Sequence, residues 1–328
     1  MIVIVGGGVM GCTLAYTLVR RGAPVTLLER SRIGQGGASG VPVALLNPYR
    51  GRSARASDFD RASLAAMWAL VEGLERSGLT TGVARSGVLR AASNAKQAKI
   101  WRKRDGVSWF GPDEVPTGFN APFGGFVAAS GGWLRPTLWL AALIRAAREH
   151  GAVVLEDYGV TGVDAALRVH SEQGALEARA VVLCSGRNTA LGEEALGLEH
   201  VAGEVIGLTL PDAVTLPYPL AGAVYGAQVG RTFYLGGNHR PAEQTDGSAP
   251  AQLQRAGSWF VPALREAALQ SIWHSVRVKA EDNLPVVREL RPGLWFAGGL
   301  AGRGFLASAH VAQMLSDRLL ASAQLINL

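Results

Sequence analysis

The sequence predicts an α/β protein in which a domain with a parallel sheet is interleaved with an α+β domain built on a mainly antiparallel sheet. Three observations carry that expectation. The chain opens on a β-branched run, Ile2-Val3-Ile4-Val5, that passes at once into a glycine-rich turn and an apolar helix pattern. Strand-like runs recur at 152–156, 180–184 and 294–298 with helical stretches among them, as successive βα units require. Between about 203 and 277 the pattern changes to strands joined through prolines, which fits antiparallel pairing.

The opening elements are the most informative. Gly6, Gly8 and Gly11 form Gly-x-Gly-x-x-Gly between the first strand and a helix over about 9–21, with Gly22 as its stop and a second strand over 24–29. Gly6 permits the tight turn, Gly8 lets the backbone approach a pyrophosphate, and Gly11 lets the helix sit close against the sheet. The helix N-terminus adds unpaired N–H groups and a partial positive charge, so Val9 and Met10 join the phosphate-facing set. Glu29 closes the second strand, with Arg30 beside it. A carboxylate there accepts hydrogen bonds from both ribose hydroxyls and repels a 2′-phosphate, which predicts FAD or NAD.

Further along, Leu64, Met67, Leu70, Val71 and Leu74 share one face of a helix expected over 58–78, and short strands follow at 86–93 and 124–129. Pro136 suits the first turn of a helix that runs to His150 and stops at Gly151. The strands at 152–156 and 180–186 are both expected in the middle of the parallel sheet. Strands at 204–210 and 232–236 belong to the second domain. The chain then returns through Arg277-Val-Lys-Ala-Glu-Asp282-Asn-Leu-Pro285 to a strand, a second glycine-rich turn (Gly302-Arg303-Gly304-Phe305) and a last helix with Ala307, Val311, Met314, Leu315 and Leu319 on one face. That turn offers a second set of backbone N–H donors, suited to a ring that gains negative charge on reduction.

Bulk properties narrow the class. At 328 residues, 48% hydrophobic and 18% charged, the chain is a compact globular protein long enough for two domains. No apolar stretch approaches the ~20 residues of a membrane span, and the first strand begins at residue 2, so a cytoplasmic setting is expected. Two cysteines, Cys12 and Cys184, make neither a disulfide framework nor a metal site. Lys and Arg number 32 against 26 Asp and Glu, a net +6, which leans towards an anionic partner or a solvated basic surface. Arg50, Arg52 and Arg55, and later Arg102, Lys103 and Arg104, are candidates for either.

With these residues in hand, the chain resembles the FAD-dependent D-amino-acid-oxidase-like superfamily, which includes glycine oxidase, sarcosine oxidase and the FAD domain of a bifunctional tRNA wobble-uridine enzyme. The resemblance rests on Gly6, Gly8, Gly11 and Glu29, on Gly37-Ala38-Ser39-Gly40, on Val181-Val-Leu-Cys-Ser185-Gly186, and on Arg277 with Asp282 and Pro285. It implies a Rossmann-like FAD-binding domain of the glutathione-reductase type at 1–56, 134–202 and 278–328, with a substrate-binding domain at 57–133 and 203–277. It further implies that Ala38, Ser39 and Gly40 contact pyrophosphate or flavin, that Val160, Ser185 and Gly186 frame the adenine side, and that the amides of Gly302, Arg303, Gly304 and Phe305 face the pyrimidine end of the ring. Arg277 is the implied clamp for a substrate carboxylate, with Arg303 as a second catalytic candidate; Arg277 could instead pair with Asp282. Val41 stands where relatives of the tRNA branch carry asparagine, and Ala309-His310 where they carry proline.

The implied reaction is oxidation of a C–N bond in an amino acid or N-substituted glycine, by hydride transfer to flavin with O2 as reoxidant. The implied partner is a small carboxylate-bearing amine, or a tRNA whose wobble uridine ends in the same glycine-like group. A nicotinamide-dependent dehydrogenase would use the first motif and leave the second unexplained. A non-catalytic FAD- or ADP-binding module would use both.

Overall fold

The computed structural model of the chain describes residues 1–187, 191, 196–237, 240–241 and 249–324. The opening run becomes the strand Ile2–Val5, buried at every position between two parallel neighbours, Val25–Leu28 and Ala180–Leu183. Ile4 stands opposite Leu27 on one side and Val182 on the other. Leu294–Gly298 extends the sheet in parallel beyond Ala180–Leu183, and Val286–Arg291 closes that edge antiparallel. The strand expected at 152–156 is found as Val153–Leu155, but at the opposite edge of this six-stranded sheet and not in its middle. Val153 is 51% exposed, which an interior strand under two covers would not allow.

Alternate side chains of the sheet divide between two covers, as the two-residue period demands. Ile2, Ile4, Val25, Leu27 and Val182 join a core shared with the helices Val9–Val19, Pro136–Glu149 and Gly304–Gln324. Val3, Val5, Leu28, Val181, Leu183 and Phe296 pack on the other face with a three-stranded antiparallel meander, Val160–Val163, Arg168–Ser171 and Gly174–Glu177. With both faces covered, these strands read as unbroken apolar runs.

The helix Asp58–Arg76 begins on a capping box. Ser57 Oγ accepts from the Asp60 amide at 3.1 Å, and the Asp60 carboxylate accepts from the Ser57 amide at 3.3 Å. Leu64, Met67, Val71 and Leu74 are its buried stripe, laid against the last helix.

A second sheet of nine strands carries the other side of the cleft. Its longest pair is Glu199–Thr209 with Ala268–Lys279, antiparallel from Glu199 opposite Lys279 to Thr209 opposite Ala268. Thr232–Gly236 and Tyr225–Val229 continue it antiparallel, and Leu220–Ala221 joins Val88–Ala91 in its one parallel pairing among the described residues. Mainly antiparallel pairing is therefore found where the sequence predicts it. Leu89, Ile206, Leu208, Phe233 and Leu235 form its core with Leu253 and Phe260 of the helix Ala249–Phe260. The chain enters each sheet more than once. The end of the last expected segment, 325–328, lies outside the described residues.

Candidate active site

The first glycine-rich turn is shaped as its spacing predicts. Gly6 adopts φ +111°, a conformation closed to most side chains. Gly11 lies inside the first helix, where an added Cβ would drive into the Gly6 carbonyl oxygen, so helix and strand can meet only at glycine. Gly8 is the N-cap and brings no side chain to the first turn. Ser39 fills that role from 30 residues away, accepting from the Val9 amide at 2.9 Å. Glu29 accepts from the Gly7 amide at 2.6 Å and from the Ser31 amide and hydroxyl at 3.0 and 3.1 Å. These contacts fix its carboxylate at the end of the second strand and at the cleft wall.

The second glycine-rich turn lies directly over the first. A Cβ on Gly304, the first residue of the last helix, would stand 3.2 Å from Val9 Cγ1, the first residue of the first helix. Thr13 and Ser308, one turn further along the two helices, meet at 3.3 Å. Two helix N-termini thus converge on one cleft of about 1090 Å³. Its walls include Gly6, Gly8, Val9, Met10, Glu29, Arg30, Ala38, Ser39, Gly40, Ser185 and Gly186 at one end. Arg277, Gly302, Arg303, Gly304 and Phe305 line the same cleft.

Two predicted residues stand elsewhere. Gly11 is spent on packing the helix against Gly6 and does not reach the cleft wall. Val160 opens the meander opposite Ser171, and its side chain packs into the core with Val3, Val5 and Leu28, so it is not part of the wall. Its strand runs beneath the sheet, and burial on that face takes the side chain.

Arg277 occupies the second-sheet strand Ala268–Lys279, opposite Val201. A Cβ on Gly302 would stand 3.4 Å from Arg277 Nη1, so the guanidinium lies beside the second glycine turn. Tyr225, a further wall residue, lies near it: burial pushes the Tyr225 phenol up from its ordinary range, and the Arg277 charge opposes that.

Arg303 is a catalytic candidate whose side chain the sequence leaves open to substrate, solvent or an acidic neighbour, and in the fold it takes the acidic neighbour. It is 5% exposed and donates from Nη1 to Asp60 at 3.2 Å, with Phe59 beneath its plane at 5.4 Å. Asp60 also pairs with Arg50 at 3.4 Å. Desolvation lowers the Arg303 pKa, as does the Arg50 charge, while Asp60 and Asp282 act the other way. The Nε and Nη2 atoms of Arg303 are buried with no partner among the described residues.

Sequence reasoning missed Arg90 as a wall residue and Asp60 as the partner of Arg303. The signal for Arg90 was present, since it is the one charged residue in the buried run Val88-Leu89-Arg90-Ala91-Ala92. Asp60 had none, because its partner lies 243 residues away. Cys12 and Cys184 are both free and buried, and burial raises both thiol pKa values. Among the described residues no cluster of His, Cys, Asp and Glu could hold a metal, and no helix is long and apolar enough to cross a membrane.

A cleft that joins two glycine-lined helix N-termini, with the Glu29 carboxylate and the Arg277 guanidinium on its walls, defines a dinucleotide-binding oxidoreductase. The chain belongs to the DAO family, FAD dependent oxidoreductases, whose profile it matches over residues 1–318. It is 30% identical to the tRNA 5-methylaminomethyl-2-thiouridine biosynthesis bifunctional protein MnmC of Thiobacillus denitrificans over 356 residues, which covers 96% of this chain and 56% of that protein. It is 26% identical to the glycine oxidase of Geobacillus kaustophilus over 346 residues, covering 96% of this chain and 92% of that one. The crystal structure of glycine oxidase from Geobacillus kaustophilus superposes with a TM-score of 0.85 at 24% identity, over 96% of this chain and 93% of the other. The chain spans a little over half the length of the bifunctional relatives, 56% and 57% in two of them.

The residues present fit FAD. Both glycine turns open on one cleft, Arg277 lies beside Gly302, and Glu29 lines the same cleft. FAD supplies the hydride acceptor when bound.

Proposed function

We propose that the protein oxidises the carbon–nitrogen bond of an amino acid or N-substituted glycine. The placement of Arg277 carries this reading: a planar cation lies against the second glycine turn, on the second-sheet wall of the cleft that holds the FAD fingerprint. Its fork binds a carboxylate bidentately and so aims the adjacent Cα–H along the cleft. The substrate gives up a hydride from Cα and a proton from nitrogen, leaving an imine that water hydrolyses to carbonyl and amine. Dioxygen takes up the two electrons and two protons as hydrogen peroxide. The Met10 amide and the positive end of the first helix hold the pyrophosphate, the Val9 amide being engaged by Ser39; Glu29 holds the ribose, and the N-terminus of the last helix at Gly304 favours the negative charge gained on reduction. Arg303 acts through its backbone and through its pairing with Asp60, which anchors the turn to the helix Asp58–Arg76.

The test is anaerobic titration of the flavin-loaded protein with glycine, sarcosine, proline and other amino acids. Bleaching by a carboxylate-bearing amine, with the required concentration raised in Arg277→Ala, supports the reading. Flavin that no amine bleaches overturns it.

One observation favours a tRNA-borne substrate as a second reading. The two basic segments come together: Trp101 Nε1 donates to the Arg52 carbonyl at 2.8 Å and Arg104 Nε to the Ser53 carbonyl at 3.0 Å. Arg52, Arg55, Arg102 and Lys103 are exposed there, beside Tyr49, Arg50 and Gly51 of the cleft wall. On this reading tRNA affinity falls steeply with salt; a flat dependence leaves the small metabolite.

A further inference from the structure

Arg90 is a cation with no counter-ion among the described residues. It sits in the strand Val88–Ala91, is 4% exposed, and lines the cleft from the second sheet. Its Nη2 donates to the Gly51 carbonyl at 2.9 Å, its Nη1 donates to the Tyr49 carbonyl, and its plane lies over Trp101 at 4.6 Å. Those contacts satisfy part of the fork but none of the charge. Nε is buried without a partner, and no carboxylate pairs with Arg90 among the described residues. Burial alone pulls its pKa down to about 10, so it keeps its charge at neutral pH. A guanidinium desolvated beside neutral carbonyls is expensive unless an anion completes it.

The surroundings sharpen the point. The two carbonyls that Arg90 holds flank Arg50, which also lines the cleft. Arg50 and Arg303 share the single buried carboxylate of Asp60. Two of the guanidiniums on the cleft wall thus share one buried carboxylate, and Arg90 lines the same cleft with no carboxylate partner among the described residues. The pyrophosphate of the cofactor is provided for by the first helix, so it leaves this excess unmatched.

We propose that Arg90, with Arg50, forms a second anion subsite in the cleft, and that the substrate is an N-substituted glycine whose substituent itself ends in a carboxylate. This rests on the amine-oxidising reading above. Arg277 takes the glycine carboxylate and Arg90 takes the other, so the C–N bond is held from both ends. A side chain only 4% exposed, under the 49–51 loop, suits a small terminal carboxylate and not the backbone phosphates of a folded RNA.

The experiment uses the flavin-loaded protein without oxygen and two readouts. Perturbation of the flavin spectrum by acids that cannot be oxidised gives binding alone: succinate and glutarate against acetate and butyrate, with inorganic phosphate as a further probe. Bleaching by N-carboxymethylglycine against sarcosine gives turnover. Dicarboxylates are expected to bind about tenfold tighter than monocarboxylates of equal length, the worth of one charge-assisted contact. Arg90→Met is expected to bring succinate to within about twofold of butyrate, and Arg90→Lys to restore part of the difference. Should Arg90→Met not fold, the unmodified protein decides: succinate within twofold of butyrate, or phosphate tighter than succinate, overturns the subsite. Dicarboxylate preference in a protein whose flavin no amine bleaches would keep the subsite and remove the amine-oxidising reading. Bleaching with no such preference would do the reverse.

Discussion

Replacing Asp60 by Ala removes the one buried carboxylate that joins the helix Asp58–Arg76 to the closing turn. Its side chain is 4% exposed and engages Arg303 at 3.2 Å, Arg50 at 3.4 Å, the Ser57 hydroxyl at 2.6 Å and the Ser57 amide at 3.3 Å. Arg303 already carries two unpartnered nitrogens, and the change would strand a third in a site only 5% exposed. Breaking a buried pair from one side costs about 3–5 kcal/mol, and the reciprocal bond of the capping box adds about 0.5–1 kcal/mol. Asp60→Asn keeps the shape and loses the charge, so its expected loss is smaller, about 2–3 kcal/mol. Urea unfolding followed by tryptophan fluorescence and circular dichroism measures both. Because removing both charges leaves only the partly exposed Arg50 without its carboxylate, Asp60→Ala combined with Arg303→Met should recover more than half of the loss. A loss under about 1 kcal/mol for Asp60→Ala, or a double variant no better than the single one, would refute the assignment of this cluster as a buried ion pair.

Other outcomes follow from the same geometry. Gly11→Ala should cost about 1–3 kcal/mol and shed the flavin, because its Cβ meets the Gly6 carbonyl; Gly22→Ala, with open space around it and only its φ of +79° against it, should cost about 1 kcal/mol and retain flavin in a spectrum of the purified protein. Cys12 and Cys184 have folded pKa values raised above the ordinary 9.0, chiefly by burial, so the unfolded chain releases their protons first. Their contribution is complete below pH 9.0 and declines above it, by about 1.4 kcal/mol per pH unit for each thiol; unfolding titrations of the protein and of its Cys12→Ala, Cys184→Ala variant should differ by that slope. The native thiols should also resist alkylation at neutral pH until denaturant is added, as followed by mass spectrometry.

What could be read from the chain alone was what depends on neighbours in sequence. The tasks of Gly6, Gly8 and Gly11 follow from spacing, because strand, turn and helix are contiguous and their clash distances are local. Leu64, Met67, Val71 and Leu74 declared their helix for the same reason. Position within a sheet is not local: the run at 152–156 has the β-branched composition of an interior strand, yet it pairs on one side only and becomes an edge. Val160 turned inward because the meander packs beneath Val3 and Val5, a contact no spacing encodes. Arg303 could turn to substrate, solvent or an acidic neighbour as far as sequence goes, and only the fold supplies Asp60 from 243 residues away. Arg90 was legible in principle, as a charge inside an apolar strand, but only the fold shows that this position of the strand looks into the cleft.

The account stands on one ligand reaching both glycine turns, and competition between FAD and ADP measures that directly. FAD and ADP are titrated into the flavin-free protein and into two variants, Gly8→Val at the first turn and Gly302→Leu beside Arg277. The account predicts that Gly8→Val weakens both ligands, whereas Gly302→Leu weakens FAD and leaves ADP as it was. FAD binding untouched by Gly302→Leu would contradict it, because the closing turn would then play no part in holding the cofactor.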